Sequence, residues 1–253
     1  MTLYRQFLDL VLAPRSRRMA AMPRSEFLKI RTRTWLLCRV CMGGSPIARG
    51  QAVEPGCSIR QKRQAMRAVF LDLNGTLVMP VQAESPDAYR VIPRAASAIA
   101  QLNRKGFLCP VVTVQSRIAK GLYTETDFRT WFASWQESLA REGAYVLGPY
   151  LCPHRFGCSC PCAKPNPTLY LQASREHHID CTQSYVVGDT LDDIVAAHRI
   201  GAKGCLVLTG WGQAARDQGA GDAVHVGSDV WAVANWISQD AQFDESPCSV
   251  LNP

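Results

Sequence analysis

From Met66 onward the chain alternates short apolar runs with longer segments of helical period, and this alternation narrows the fold more than any other feature. Strands separated by helices pair in parallel through crossovers, as βαβ units of an open sheet. "AVFLD" (68–72) reads as the first strand. Pro93 opens a helix that Gly106 closes, the order of residues that helix termini prefer. "LCPVVT" (108–113) is the second strand, with Pro110 near its beginning. Thr124 and Asp127 form a capping-box pattern, and Phe128, Trp131, Phe132, Trp135 and Leu139 recur behind it at helical spacing, a stripe that reads as core. Asn166 and Pro167 start another helix. "SYVVGD" (184–189), "GCLVL" (204–208) and "AVHV" (223–226) are further strands, and Ser228 is expected to cap a last short helix ending near Ile237. The fold class that follows is α/β, doubly wound and Rossmann-like, with a mostly parallel sheet.

Charge divides the chain. Residues 1–67 carry 14 Lys and Arg against 3 Asp and Glu, whereas the remainder carries 14 against 18, so the net charge of +7 belongs to the N-terminal segment. The expected organisation is a basic extension over 1–65, either disordered or upstream of a true start at Met66, a folded domain over 66–238, and a loose tail over 239–253. The basic run lacks aromatic interleaving and any recognised module, so no nucleic-acid partner is expected. No run approaches the roughly 18 to 20 apolar residues that cross a bilayer, so no membrane partner is expected either. A monomer is expected. Eleven cysteines, several crowded into one stretch, do not read as a disulfide framework; they point to a reducing, cytoplasmic compartment. Cys38 and Cys41 have zinc spacing without a partner pair nearby.

In an open α/β sheet, ligands collect beyond the carboxyl ends of the strands. Asp72, Thr113 and Asp189 stand at such ends, and Lys164 stands at a helix entry. Asp72 runs into "LNGTL", where Gly75 lets the backbone bend close to a ligand. Two carboxylates facing one another repel unless a hard cation lies between them, and oxygen ligands suit magnesium better than zinc. Lys164 offers a positive charge for a phosphate, and Thr113 a hydroxyl for a phosphoryl oxygen. A second metal pattern lies in "CPHRFGCSCPCAKP", which supplies Cys152, His154, Cys158, Cys160 and Cys162. A Cys-x-His pair followed at short range by a Cys-x-Cys pair can close a tetrahedral zinc site; a set of free thiols is the other reading.

These peptides, in this order, resemble the haloacid dehalogenase (HAD) superfamily of phosphohydrolases. Its four motifs are matched by "DLNGT" at Asp72, "VTVQS" at Thr113, "AKPNP" at Lys164 and "GDTLDD" at Asp189 and Asp193. "VTVQSRIAKGLYTETDF", "CPH" and the Cys-x-Cys ahead of Lys164 are similar to the heptose-bisphosphate phosphatase branch and its relative, the histidinol-phosphatase domain. The resemblance covers residues 66–212. It implies that Asp72 attacks phosphorus to give an aspartyl-phosphate that water then hydrolyses. It implies Mg²⁺ held by Asp72, the main-chain carbonyl of Asn74 and Asp189, with Thr113 and Lys164 on the phosphoryl oxygens and Gln115, Ser116 and Arg117 on the substrate. It also implies a structural Zn²⁺ on Cys152, His154, Cys160 and Cys162, leaving Cys158 spare. The partner is then a phosphorylated small molecule, a sugar phosphate.

The chain departs from the pattern where proton transfer is done. The family's acid/base aspartate, two residues after the nucleophile, is Asn74, whose amide can neither protonate a leaving group nor activate water. Val114, Arg117, Ala163 and Thr190 replace residues that are Asn, Gly, Arg and Lys in the family. The expectation is a slow phosphatase or one of altered specificity; the alternatives are a homologue that serves without turnover as a binder of phosphorylated ligands or as a partner module, or a histidinol-phosphate-type phosphatase.

Overall fold

The computed structural model describes residues 65–155 and 157–243. The basic stretch before residue 65, with Cys38 and Cys41, and the last ten residues lie outside the described residues. In chain order the strands are β1 (Val69–Leu71), β2 (Val78–Met79), β3 (Arg90–Val91), β4 (Pro110–Val114), β5 (Leu147–Cys152), β6 (Tyr185–Gly188), β7 (Lys203–Val207) and β8 (His225–Gly227). The helices are α1 (Ala95–Arg104), α2 (Ser116–Ala119), α3 (Glu125–Arg141), α4 (Thr168–His177), α5 (Leu191–Ile200), α6 (Gly212–Asp217) and α7 (Val230–Phe243).

Six strands form one sheet in the order β5-β4-β1-β6-β7-β8, every neighbouring pair parallel. The sheet is entered in its middle at β1, winds outward to β5, returns beside β1 as β6 and winds outward the other way. This is the doubly wound, parallel α/β architecture expected from the alternation of runs. A side chain's face alternates along a strand. Val69 and Leu71 accordingly join a core with α1, α3 and α7, while Ala68 and Phe70 join a second core with α4 and α5 on the opposite face. Both faces of β1 are covered, which is why its sequence is an unbroken apolar run.

Thr124 and Asp127 close the capping box on α3, with Asp127 N donating to Thr124 Oγ1 at 3.1 Å and Thr124 N to Asp127 Oδ2 at 2.9 Å. The aromatic stripe packs into the first core; Trp131 and Trp135 stack at 5.8 Å with planes 9° apart.

The short helices α2 and α6 were not read from the sequence, and the strands and the last helix differ as well. Strand β5 is not among the strands read from the sequence; it lies at the sheet edge, where Pro149 costs no shared ladder bond. A hairpin, β2 with β3, folds out of the segment after Asp72. The last helix is capped by Asp229, whose Oδ1 accepts from Ala232 N at 2.8 Å, and not by Ser228. It runs to Phe243 instead of ending near Ile237, because Ala241 is buried and Asp240 is tied to Lys203 (2.7 Å) and Tyr185 (2.6 Å) on the sheet, so residues 239–243 are helical, not a loose tail.

Candidate active site

Strands β1 and β6 end side by side at the point where the winding reverses, and the chemistry-bearing residues gather there. Asp72 follows β1 directly, its backbone N–H donating to Val187 O of β6 at 2.9 Å. Lys164 enters from the loop between β5 and α4. Its Nζ donates to Asp72 Oδ1 at 2.5 Å and to Asp193 Oδ1 at 2.7 Å, with only 7% of its side chain exposed. Burial pulls the lysine toward neutrality, but Asp193 and Asp72 outweigh it and hold the ammonium well above its usual range. The lysine is therefore a fixed cation beside the candidate nucleophile.

Asp189 follows β6 and is almost fully buried. A Cβ added at Gly75 or Gly210 would come within 2.1 or 2.0 Å of its Oδ2, and both glycines have positive φ (+89° and +57°), so this slot admits no other residue. Trp211 N–H donates to the same oxygen at 2.7 Å. Burial, then Asp72 and Asp193, push Asp189 up to about 8, and burial raises Asp72 against the pull of Lys164. Three buried carboxylates thus face a single ammonium. A hard divalent cation fits this donor set, because it would supply the missing positive charge to oxygen ligands. Asp72 and Asp189, with the Asn74 carbonyl on the turn packed against Asp189, are the residues that could hold it.

Asn74 lies at the centre of a hydrogen-bond network. Its Nδ2 donates to Val81 O (3.0 Å) and to Tyr89 Oη (2.7 Å); its Oδ1 accepts from Gln115 Nε2 (2.6 Å) and Thr113 Oγ1 (3.4 Å). Tyr89 and Tyr123 hydroxyls both donate to Gln115 Oε1, at 3.1 and 2.8 Å, and Gln115 Nε2 also donates to Thr113 Oγ1 at 3.0 Å. Every donor points to an acceptor, so the sense of the amide is fixed. Thr113 and Gln115, expected on the phosphoryl group and the substrate, are buried in this network instead of lining the cleft.

The open cleft above Asp72 has a volume of about 990 Å³. Asp72, Asn74, Lys164 and Asp189 line it, as do Ser116 and Arg117, and so do three of the departures from the family pattern, Val114, Ala163 and Thr190. Arg117 Nη2 donates to Gln82 Oε1 at 2.6 Å across the loop that carries the hairpin. Tyr89 and Tyr123 were not singled out from the sequence, and Asp193, named there with the fourth motif, was given no role in the site. Only Asp193 had a local signal, the paired acids of "LDD"; the tyrosines reach the site through contacts made only on folding.

Between β5 and Lys164, the side-chain ligand atoms of Cys152, His154, Cys160 and Cys162 all lie within 4.8 Å of one another. Cys152 Sγ is 3.5 Å from Cys160 Sγ, and His154 Nδ1 is 3.2 Å from Cys162 Sγ. A tetrahedral zinc with bonds of about 2.3 Å to sulfur needs sulfurs about 3.8 Å apart, close to this spacing. Cys158 is exposed and outside the set. Among the described residues, no helix is long and apolar enough to cross a membrane.

Comparison with known proteins agrees with this geometry. Residues 161–233 match a family model described as HAD-hydrolase-like. The chain is 38% identical over 172 residues to the D-glycero-beta-D-manno-heptose-1,7-bisphosphate 7-phosphatase of Yersinia pestis, covering 64% of this chain and 90% of that one. It is 31% identical over 179 residues to the phosphatase of the same name from Bordetella bronchiseptica, covering 70% of this chain and all of that one. The crystal structure of the D,D-heptose 1,7-bisphosphate phosphatase from B. bronchiseptica, complexed with magnesium and phosphate, superposes with a TM-score of 0.64 at 30% identity, over 69% of this chain and 99% of that one.

Proposed function

Because the chain belongs to the HAD-like phosphatases, a family of phosphoric monoester hydrolases, we propose that it hydrolyses a sugar phosphate of the heptose-bisphosphate kind through an aspartyl-phosphate on Asp72. The observation that carries this reading is the convergence of Asp72, Lys164 and Asp189 where β1 and β6 end together. Asp72 presents a carboxylate to phosphorus. Lys164 holds that carboxylate in place and offers its charge to the phosphoryl oxygens. Asp72, Asp189 and the carbonyl of Asn74 would hold Mg²⁺, which when bound supplies positive charge against the transferring group. The relative solved with magnesium and phosphate supports that assignment. Cys152, His154, Cys160 and Cys162 would hold a structural Zn²⁺, four protein ligands leaving no position for a reacting water.

Asn74 makes this a slow enzyme. Loss of a positioned acid/base commonly costs about 10²–10⁴-fold in rate. The test is phosphate release from D-glycero-D-manno-heptose 1,7-bisphosphate and a panel of sugar phosphates, with Mg²⁺, by the full chain and by Asp72→Asn. Slow release by the native chain, none by the variant, and acid-stable phosphate on Asp72 are expected. No release and no phosphoenzyme from any substrate would reject the proposal. The fully satisfied amide of Asn74 favours one second reading, a binder of phosphorylated ligands, and tight binding without release would select it.

A further inference from the structure

Resting on that reading, we infer from the network around Asn74 that the substrate class of this site is a phosphate carried on an acidic oxygen, an acyl or an anomeric phosphate, in preference to one on a primary alcohol. The argument starts from the hydrogen bonds. Both N–H groups of the Asn74 amide are spent, on Val81 O at 3.0 Å and Tyr89 Oη at 2.7 Å, and its oxygen accepts from Gln115 and Thr113. No rotation of the amide frees a donor without orphaning a partner. Tyr89 cannot serve in its place, since its hydroxyl proton goes to Gln115 Oε1. Lys164 is held between two carboxylates. Asp193 is also engaged by the Thr190 hydroxyl at 2.7 Å, and Asp189 is clasped by Trp211 N–H and two glycines.

The reaction then runs without an acid at the position two residues after the nucleophile. An Asp72 oxygen bonds to phosphorus while the bond from phosphorus to the leaving oxygen breaks, and the electron pair of that bond stays on the departing oxygen as an anion. That anion takes its proton from solvent water. In the second half, water adds to phosphorus, its proton passes to the phosphate, and the electron pair of the phosphorus–Asp72 bond returns to the carboxylate. The loose transition state of phosphoryl transfer places much of a full charge on the leaving oxygen. An oxygen that bears negative charge well needs no acid; a primary alkoxide does.

The experiment is a leaving-group series: substituted phenyl phosphates, with acetyl phosphate, glucose 1-phosphate and glucose 6-phosphate, assayed with Mg²⁺ on the full chain, and with Asp72→Asn to show that the rates arise from this site. kcat/KM is the readout, since it covers steps only up to departure of the leaving group. The expected result is a fall of about tenfold per unit rise in leaving-group pKa, with glucose 1-phosphate ahead of glucose 6-phosphate. Turnover with a slope shallower than about threefold per unit overturns the inference and leaves the phosphatase reading intact, with Asp192 on the cleft wall as the acid that does the work. No turnover of any member, acetyl phosphate included, overturns the inference, and if D-glycero-D-manno-heptose 1,7-bisphosphate is not turned over either, the phosphatase reading falls with it.

Discussion

At residue scale, Asn74 shows how a side chain can be lost to one role and fixed in another. Its four hydrogen bonds join the turn after β1 to the hairpin side through Val81 and Tyr89 and to β4 through Thr113. Tyr89→Phe removes the acceptor of one Asn74 N–H and one of two donors to Gln115, while keeping the ring against Trp131 (4.9 Å). The expected cost is about 1 to 3 kcal/mol, the penalty for leaving a largely buried donor unpaired, read from denaturant unfolding. A loss below about 0.3 kcal/mol would mean that water replaces the hydroxyl. Asp72, Asp189 and Lys164 were legible in the sequence because each sits at a strand end or helix entry. Thr113 and Gln115 were legible as site residues but not in orientation. Tyr89, which donates to Gln115, lies 26 positions from it, too far for any local pattern to report.

At the scale of elements, the loop between β5 and α4 links two candidate functions. Cys162 stands two residues before Lys164, and Asn166 Nδ2 donates to Cys160 O at 3.0 Å, so the cysteine cluster and the lysine belong to one braced turn. Burial pushes the Cys160 thiol up, but hydrogen bonds from Cys152, Cys158 and Cys162 outweigh it and bring it down to about 6, a thiol ready to bind metal at neutral pH. Cys160→Ser is expected to abolish zinc measured by elemental analysis, from one equivalent to none, and to lower kcat by about tenfold or more through misplacement of Lys164. Full zinc occupancy in the variant would refute the ligand set. The loop was readable because Cys-x-His and Cys-x-Cys are local spacings. The edge strand feeding it was not, since Gly-Pro carries the same sequence signal in a turn and in an edge strand that tolerates it.

Across the whole molecule, the parallel order and the two-faced core were written in the alternation of apolar runs with helical stripes, because burial on both faces leaves strands no polar positions. What sequence could not supply was electrostatic closure: three carboxylates and one ammonium meet only when β1, β6 and α5 are assembled. This has a pH signature. Asp189 is raised in the fold toward about 8 from an ordinary value of 3.8, so the native state binds more protons than the unfolded chain between these values. Stability of the metal-free protein should then fall as pH rises through that window. Mg²⁺ binding only the native state reverses the trend, so the rise in melting temperature with added Mg²⁺ is expected to be larger at pH 8 than at pH 5. An equal rise at both values would remove the carboxylates from the metal site.

The bonds around Asn74 also govern how the protein ages. Asn-Gly pairs lose ammonia when the following backbone nitrogen closes onto the side-chain carbonyl carbon. In the fold, Gly75 N–H is committed to Val78 O at 2.8 Å and the amide is clamped from both ends. That ring cannot form until the turn opens, so conversion at this position records the time this turn has spent open.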